Sequence, residues 1–76
     1  MKKITCQDFG GPCDTIITGN SFDEAGMNCK NHVMEQIDNG DEAHKIAADK
    51  MRNATSEEQQ NMWAEYKRKY EEAPEV

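Results

Sequence analysis

Nowhere does this chain approach the ~20 consecutive apolar residues that a membrane-crossing helix requires, so no helical span is expected. It is also short of positive charge: nine Lys and Arg stand against fifteen Asp and Glu, a formal net charge of -6. Binding along a phosphate backbone needs clustered cations. The one basic cluster, Lys67-Arg68-Lys69, lies between Glu65 and Glu71-Glu72 and reads as a solvated helix face. Nucleic acid is therefore not an expected partner. The opening MKKITCQDFGG has two lysines but lacks the apolar stretch of a secretory signal. Three cysteines is an odd count for a disulfide framework. A reducing cytoplasm is the expected location, and there the Asn53-Ala54-Thr55 sequon carries no weight. Also missing are a glycine-rich phosphate loop followed by lysine and any carboxylate pair that stands out from the abundant surface acids. Cys29-x-x-His32 would bring a thiol and an imidazole together, but a catalytic dyad also needs an orienting group and an oxyanion hole. The chain reads as non-enzymatic.

What is present is one small domain without internal repeats or a long linker. At 76 residues a chain buries only about 60–65% of the surface its unfolded form exposes, and a core of that size alone rarely supplies more than about 3–5 kcal/mol. Small domains therefore recruit metals, disulfides or partner subunits. The composition is 36% hydrophobic and 32% charged, yet the apolar residues are periodic, which favours a folded helical domain over disorder.

Lys3 to Gln7 reads as a strand with Ile4 and Cys6 on one face, and Asp14 to Thr18 as a second, β-branched strand. Asp8-Phe9-Gly10-Gly11-Pro12 between them is turn chemistry, giving a hairpin over about 3–18. Ser21 to Glu24 has the form of a capping box. Phe22, Ala25, Cys29, Val33 and Ile37 then mark one face of a helix over 22–38, with Asn39-Gly40 as its end. Met27 and Met34 form a second stripe, expected to be buried against the later helices. Asp41 caps a helix over 42–53 with Ala43, Ile46, Ala47 and Met51 on its apolar face. Thr55 or Ser56 starts a third over 56–72, where Trp63, Tyr66 and Tyr70 read as core and Pro74 ends the run. The expected fold class is α+β, a hairpin packed on a helix and followed by two more helices (ββααα), with a zinc-finger-like start.

Zinc takes thiolates and neutral imidazoles, usually four, in a tetrahedron. Cys6, Cys13, Cys29, His32 and His44 are the candidates. Cys6, Cys13 and His32 follow the order of a ββα zinc finger, although six residues separate the cysteines where two to four are usual. His32 and His44 flank the reversal at Gly40 with backbones offset by roughly 6 Å in an antiparallel pair. Cys29, one turn before His32, is an alternative fourth ligand, but its place on the apolar face reads as core. Three readings of Cys6 and Cys13 stay open here: metal ligation, plain packing, and a redox pair. Asp8 and Asp14 beside them work against the depressed pKa that a thiol switch needs.

The chain resembles a family of small bacterial proteins, the domain of unknown function 1059 family. Its Cys-x-x-x-Gly-Gly-x-Cys-Asp signature is matched by Cys6, Gly10, Gly11, Cys13 and Asp14, and its helix start by Ser21 to Ala25. His32, the Gly40-Asp41-x-x-His44 group, Met51, Trp63 and Pro74-Glu75 continue the match along essentially the whole chain. Shorter relatives look like degenerate zinc fingers, so the resemblance implies Cys6, Cys13, His32 and His44 as the ligand set, with zinc as the metal. Here the second histidine lies in a separate helix, and Ile37 occupies the place where the short form has one. Cys29 lies outside the family pattern. The functional expectation is a non-catalytic protein with a structural zinc site. A metal-free module for a protein partner and a thiol redox protein using Cys6 and Cys13 are the alternatives.

Overall fold

Ser21, Asp41 and Thr55 each place a short side-chain oxygen ahead of a helix-forming stretch, and each becomes a helix cap. The computed structural model describes residues 1–75, with helices α1 at Phe22–Asp38, α2 at Glu42–Arg52 and α3 at Ser56–Glu72. The Ser21 hydroxyl accepts from the Glu24 amide at 3.1 Å, and Asp41 accepts from the His44 amide at 2.9 Å. Thr55 and Glu58 exchange both bonds of a capping box. At Ser21 only the first half of the expected box forms among the described residues. Gly40, with φ +87°, turns the chain from α1 into α2, a conformation that glycine adopts without a Cβ penalty.

Two strands, β1 at Lys2–Thr5 and β2 at Ile16–Gly19, pair antiparallel with Ile4 opposite Ile17. Both strands differ from the expected 3–7 and 14–18. Residues Cys6–Phe9 leave the sheet as a 3-10 helix. The cause is local: Thr5 accepts from the Asp8 amide, and the Asp8 carboxylate accepts from the Thr5 amide. This box ends β1 one residue before the first cysteine. Cys6 is therefore not a strand residue beside Ile4, although its amide still donates to Thr15 O at 2.9 Å. The 3-10 turn also buries Phe9, which the turn-rich sequence around it did not mark as core.

The core gathers Ile4, Cys6, Phe9, Ile17, Ala25, Cys29, Tyr66 and Tyr70. Helix α1 packs closely on β2 because Gly19 has no side chain; a Cβ there would lie 2.5 Å from the Ala25 amide nitrogen. The Tyr70 hydroxyl donates to the buried Gly19 carbonyl at 3.0 Å and so ties α3 to the hairpin. Phe9 meets Phe22 edge-on and Tyr66 at a tilt, with ring centroids 5.6 and 5.5 Å apart. After α3 the chain returns to the sheet, where the Lys3 amide donates to Pro74 O at 3.0 Å.

Met27, Met34 and Trp63, expected in the core, are instead exposed at 57%, 53% and 54%, and Ile46 is exposed as well. The molecule is flat, 31 × 30 × 16 Å. Helix α3 spends Tyr66 and Tyr70 on the hairpin side, which leaves the α1 methionines and Trp63 along an open groove. No helix is long and apolar enough to cross a membrane.

Candidate metal centre

Four short pieces of chain converge beside the hairpin. Cys6 opens the 3-10 turn, Cys13 stands in the loop before β2, His32 is on α1, and His44 is in the first turn of α2. Each offers one ligand atom, and the four atoms lie within 4.8 Å of one another. Cys13 Sγ is 3.3 Å from His32 Nε2 and 3.4 Å from His44 Nε2, while Cys6 Sγ is 3.9 Å from His44 Nε2. A tetrahedral zinc with ordinary bond lengths sets sulfur–nitrogen separations of about 3.5 Å and sulfur–sulfur separations of about 3.8 Å. These three sulfur–nitrogen distances bracket the first figure. The imidazole planes cross at 81° with centroids 5.2 Å apart, so both Nε2 atoms face the sulfurs without the rings stacking.

Three of the four candidate ligands have a neighbour behind them. The Cys6 carbonyl accepts from the Gly11 amide at 2.8 Å, and a Cβ on Gly11 would fall 2.1 Å from Cys6 Sγ. Glycine at 11 is thus a steric condition for the sulfur's position. Cys13 Sγ lies 3.3 Å from the Thr15 hydroxyl, which as a donor suits a thiolate. Behind His44, Nδ1 is 3.0 Å from Asp41 Oδ1. The approach is poorly aligned for a hydrogen bond, and His44 Nδ1 is otherwise buried without a polar partner. The same carboxylate already accepts the His44 backbone amide, which explains the skew.

The electrostatics divide the two thiols. Burial, then Cys29 and Cys13, push Cys6 up to about 12. Burial works to raise Cys13 too, but the Thr15 hydroxyl and amide and the two imidazoles outweigh it and bring Cys13 down to about 6. For His44, burial favours the neutral ring, but Asp41 and the Cys13 sulfur prevail and raise its pKa. The pocket thus holds a protonated thiol, a readily formed thiolate and an imidazole drawn toward its cationic form. A bound divalent cation would take over that positive role, since it deprotonates a coordinating thiol outright.

All four residues implied as ligands are brought together. Cys29 is buried in the core and raised by that burial, and it is not among the four. The three cysteines are free thiols. Reading the sequence did not single out Asp41 or Thr15 as supports. Asp41 reads there as a cap and as part of the Gly40-Asp41-x-x-His44 match, although an acidic cap three residues before a candidate ligand histidine sits where it faces that ring.

No family model, curated protein or solved structure matches the chain. The functional reading therefore rests on this geometry.

Proposed function

We propose that the protein is a small, non-catalytic cytoplasmic domain whose Cys6, Cys13, His32 and His44 hold a structural zinc ion. The observation that carries this reading is the mutual approach of two sulfurs and one ring nitrogen from each histidine within 4.8 Å. Two thiolates and two imidazoles in a tetrahedral arrangement suit zinc. Four protein ligands close the coordination shell, as structural sites do, where catalytic sites keep a position for water or substrate. Zinc there supplies cross-linking rather than chemistry, joining the hairpin loop to α1 and α2. The residues around it favour that role: Gly11 makes room for the Cys6 sulfur, the Thr15 hydroxyl would donate to a Cys13 thiolate, and the Asp41 carboxylate, 3.0 Å from His44 Nδ1, favours the tautomer that leaves Nε2 free for the metal. In a chain with so small a core, metal binding is folding free energy. The resemblance to the domain of unknown function 1059 family is part of the same proposal, since Cys6, Gly11, Cys13, His32, Asp41 and His44 all belong both to the site and to the residues carrying that likeness.

The test is native mass spectrometry of protein purified under reducing conditions without chelator or affinity tag. One zinc per chain is expected, lost together with helical structure on chelation and absent from Cys13→Ser. A stably folded apo protein that ignores added zinc would overturn the reading, and a reversible Cys6–Cys13 disulfide would replace it with the redox alternative.

A further inference from the structure

The exposed apolar side chains are not scattered. Met27 and Met34 on α1 and Trp63 on α3 form the lips of one groove of about 1290 Å³, floored by Phe9, Val33 and Met62. That volume exceeds the few hundred to 1,000 Å³ typical of small-molecule pockets. It also lies open between helices rather than enclosed. None of the four metal-ligand residues lines it, so the inference stands independently of the zinc reading.

Its charge is opposite to that of the chain. The charged residues lining the groove are Asp23, Lys30, Arg52 and Lys67, three cations against one carboxylate in a protein whose net charge is -6. Arg52 is paired with Asp49 on its own helix, whereas Lys30 and Lys67 have no ion-pair partner among the described residues. Lys30 lies between Met27 and Met34 on the same stripe of α1, and Lys67 stands one turn beyond Trp63 on α3. The groove therefore offers apolar contacts interleaved with unpaired positive charge. Methionine-rich helical grooves of this kind accept an amphipathic helix, which anchors by apolar residues spaced i, i+3 or i+4, and i+7.

We propose that this groove binds an amphipathic helix of another protein, with apolar anchors entering between Met27, Met34 and Trp63 and with Asp or Glu flanks meeting Lys30 and Lys67. A second copy of the chain is disfavoured by the same charges. The α1 stripe Asp23, Met27, Lys30, Met34, Ile37 is centred on Lys30, so a two-fold antiparallel contact places Lys30 against its own copy.

The experiment is a display selection on the full-length protein as purified. The library holds tryptophan-free helical peptides with a fixed apolar stripe and flanks randomised among Glu, Gln and Lys. Acidic flanks are expected to be enriched, and the best peptide should shift the emission of Trp63, the single tryptophan, to the blue. Its affinity should fall at least tenfold in the Lys30→Glu, Lys67→Glu double variant, whose helical signal is checked first. Both positions are surface lysines, so folding is retained. Enrichment of neutral or basic flanks, no enrichment, or an unaltered affinity in the double variant would each overturn the proposal. So would sedimentation showing a dimer that already shields Trp63 in the absence of peptide.

Discussion

Asp41 meets His44 twice: its Oδ1 accepts the backbone amide of His44 at 2.9 Å and lies 3.0 Å from Nδ1 of the ring. One carboxylate therefore both starts α2 and lies against the ring of a candidate metal ligand, so the fold and the site share an atom.

Separating those two roles is the first prediction. Asn caps helices about as well as Asp but carries no charge toward the ring. Asp41→Asn should therefore leave the helical signal of the zinc-saturated protein nearly unchanged while weakening zinc binding roughly 10–100-fold, as loss of a carboxylate behind a ligand histidine does. Asp41→Ala should lose that affinity and about 1 kcal/mol of cap stability as well. Competition against a zinc-binding dye, with thermal melts in parallel, checks both. Equal affinities in wild type and Asp41→Asn would reduce Asp41 to a cap.

Gly11 is not a ligand, yet it should behave like one. A Cβ there would sit 2.1 Å from Cys6 Sγ, so Gly11→Ala must displace either the loop or the sulfur. We expect a loss of about 1–3 kcal/mol, in the range of overpacked cores, together with substoichiometric zinc. Denaturant titration and metal analysis of the purified variant read the two effects. Full zinc occupancy with wild-type stability would show that the loop moves aside freely.

Tyr70→Phe removes a hydroxyl and leaves the buried Gly19 carbonyl without that donor. An orphaned buried acceptor costs about 1–3 kcal/mol. The loss should appear in urea unfolding with no change in zinc stoichiometry, because the bond ties α3 to β2 and touches none of the ligands. A variant that also lost zinc would mean that α3 and the site are coupled.

Glu58 supplies a pH dependence of known sign. The Thr55 amide and hydroxyl hold its carboxyl below the ordinary value of 4.5. A carboxyl with a depressed folded-state pKa adds stability above its unfolded pKa and loses it as pH falls through the folded one. Glu58→Gln should thus unfold at lower urea than wild type at pH 6.5, and the gap should narrow once pH drops below 4.5. A gap that stays constant down to pH 3 would mean that the charge of Glu58 contributes nothing to the cap.

The helices were legible because their signals are local. Ser21, Asp41 and Thr55 announce their starts, Gly40 and Pro74 their ends, and α1 and α3 fall on the expected residues. The ligand set came from the resemblance, while spacing alone had left the cysteines open. The 3-10 turn was hidden because Thr5 and Asp8 cap each other inside a stretch that otherwise reads as strand followed by turn. Trp63, Met27 and Met34 were misplaced for another reason. Periodicity reveals that a helix has an apolar face but not whether this chain covers it, and here Phe9 and the two tyrosines fill the core first.

The four candidate ligands all lie between residues 6 and 44, whereas α3 begins at Ser56 and is fastened by Tyr66, Tyr70 and the strand-like contact at Pro74. A metal cross-link would thus lock the first two-thirds of the chain while leaving the last helix attached by packing and a few hydrogen bonds to the hairpin. Such a molecule opens in two steps rather than one. Helix α3 is the hinged door, and amide exchange should run faster beyond residue 55 than within α1, at a rate that follows occupancy of the groove rather than of the metal centre.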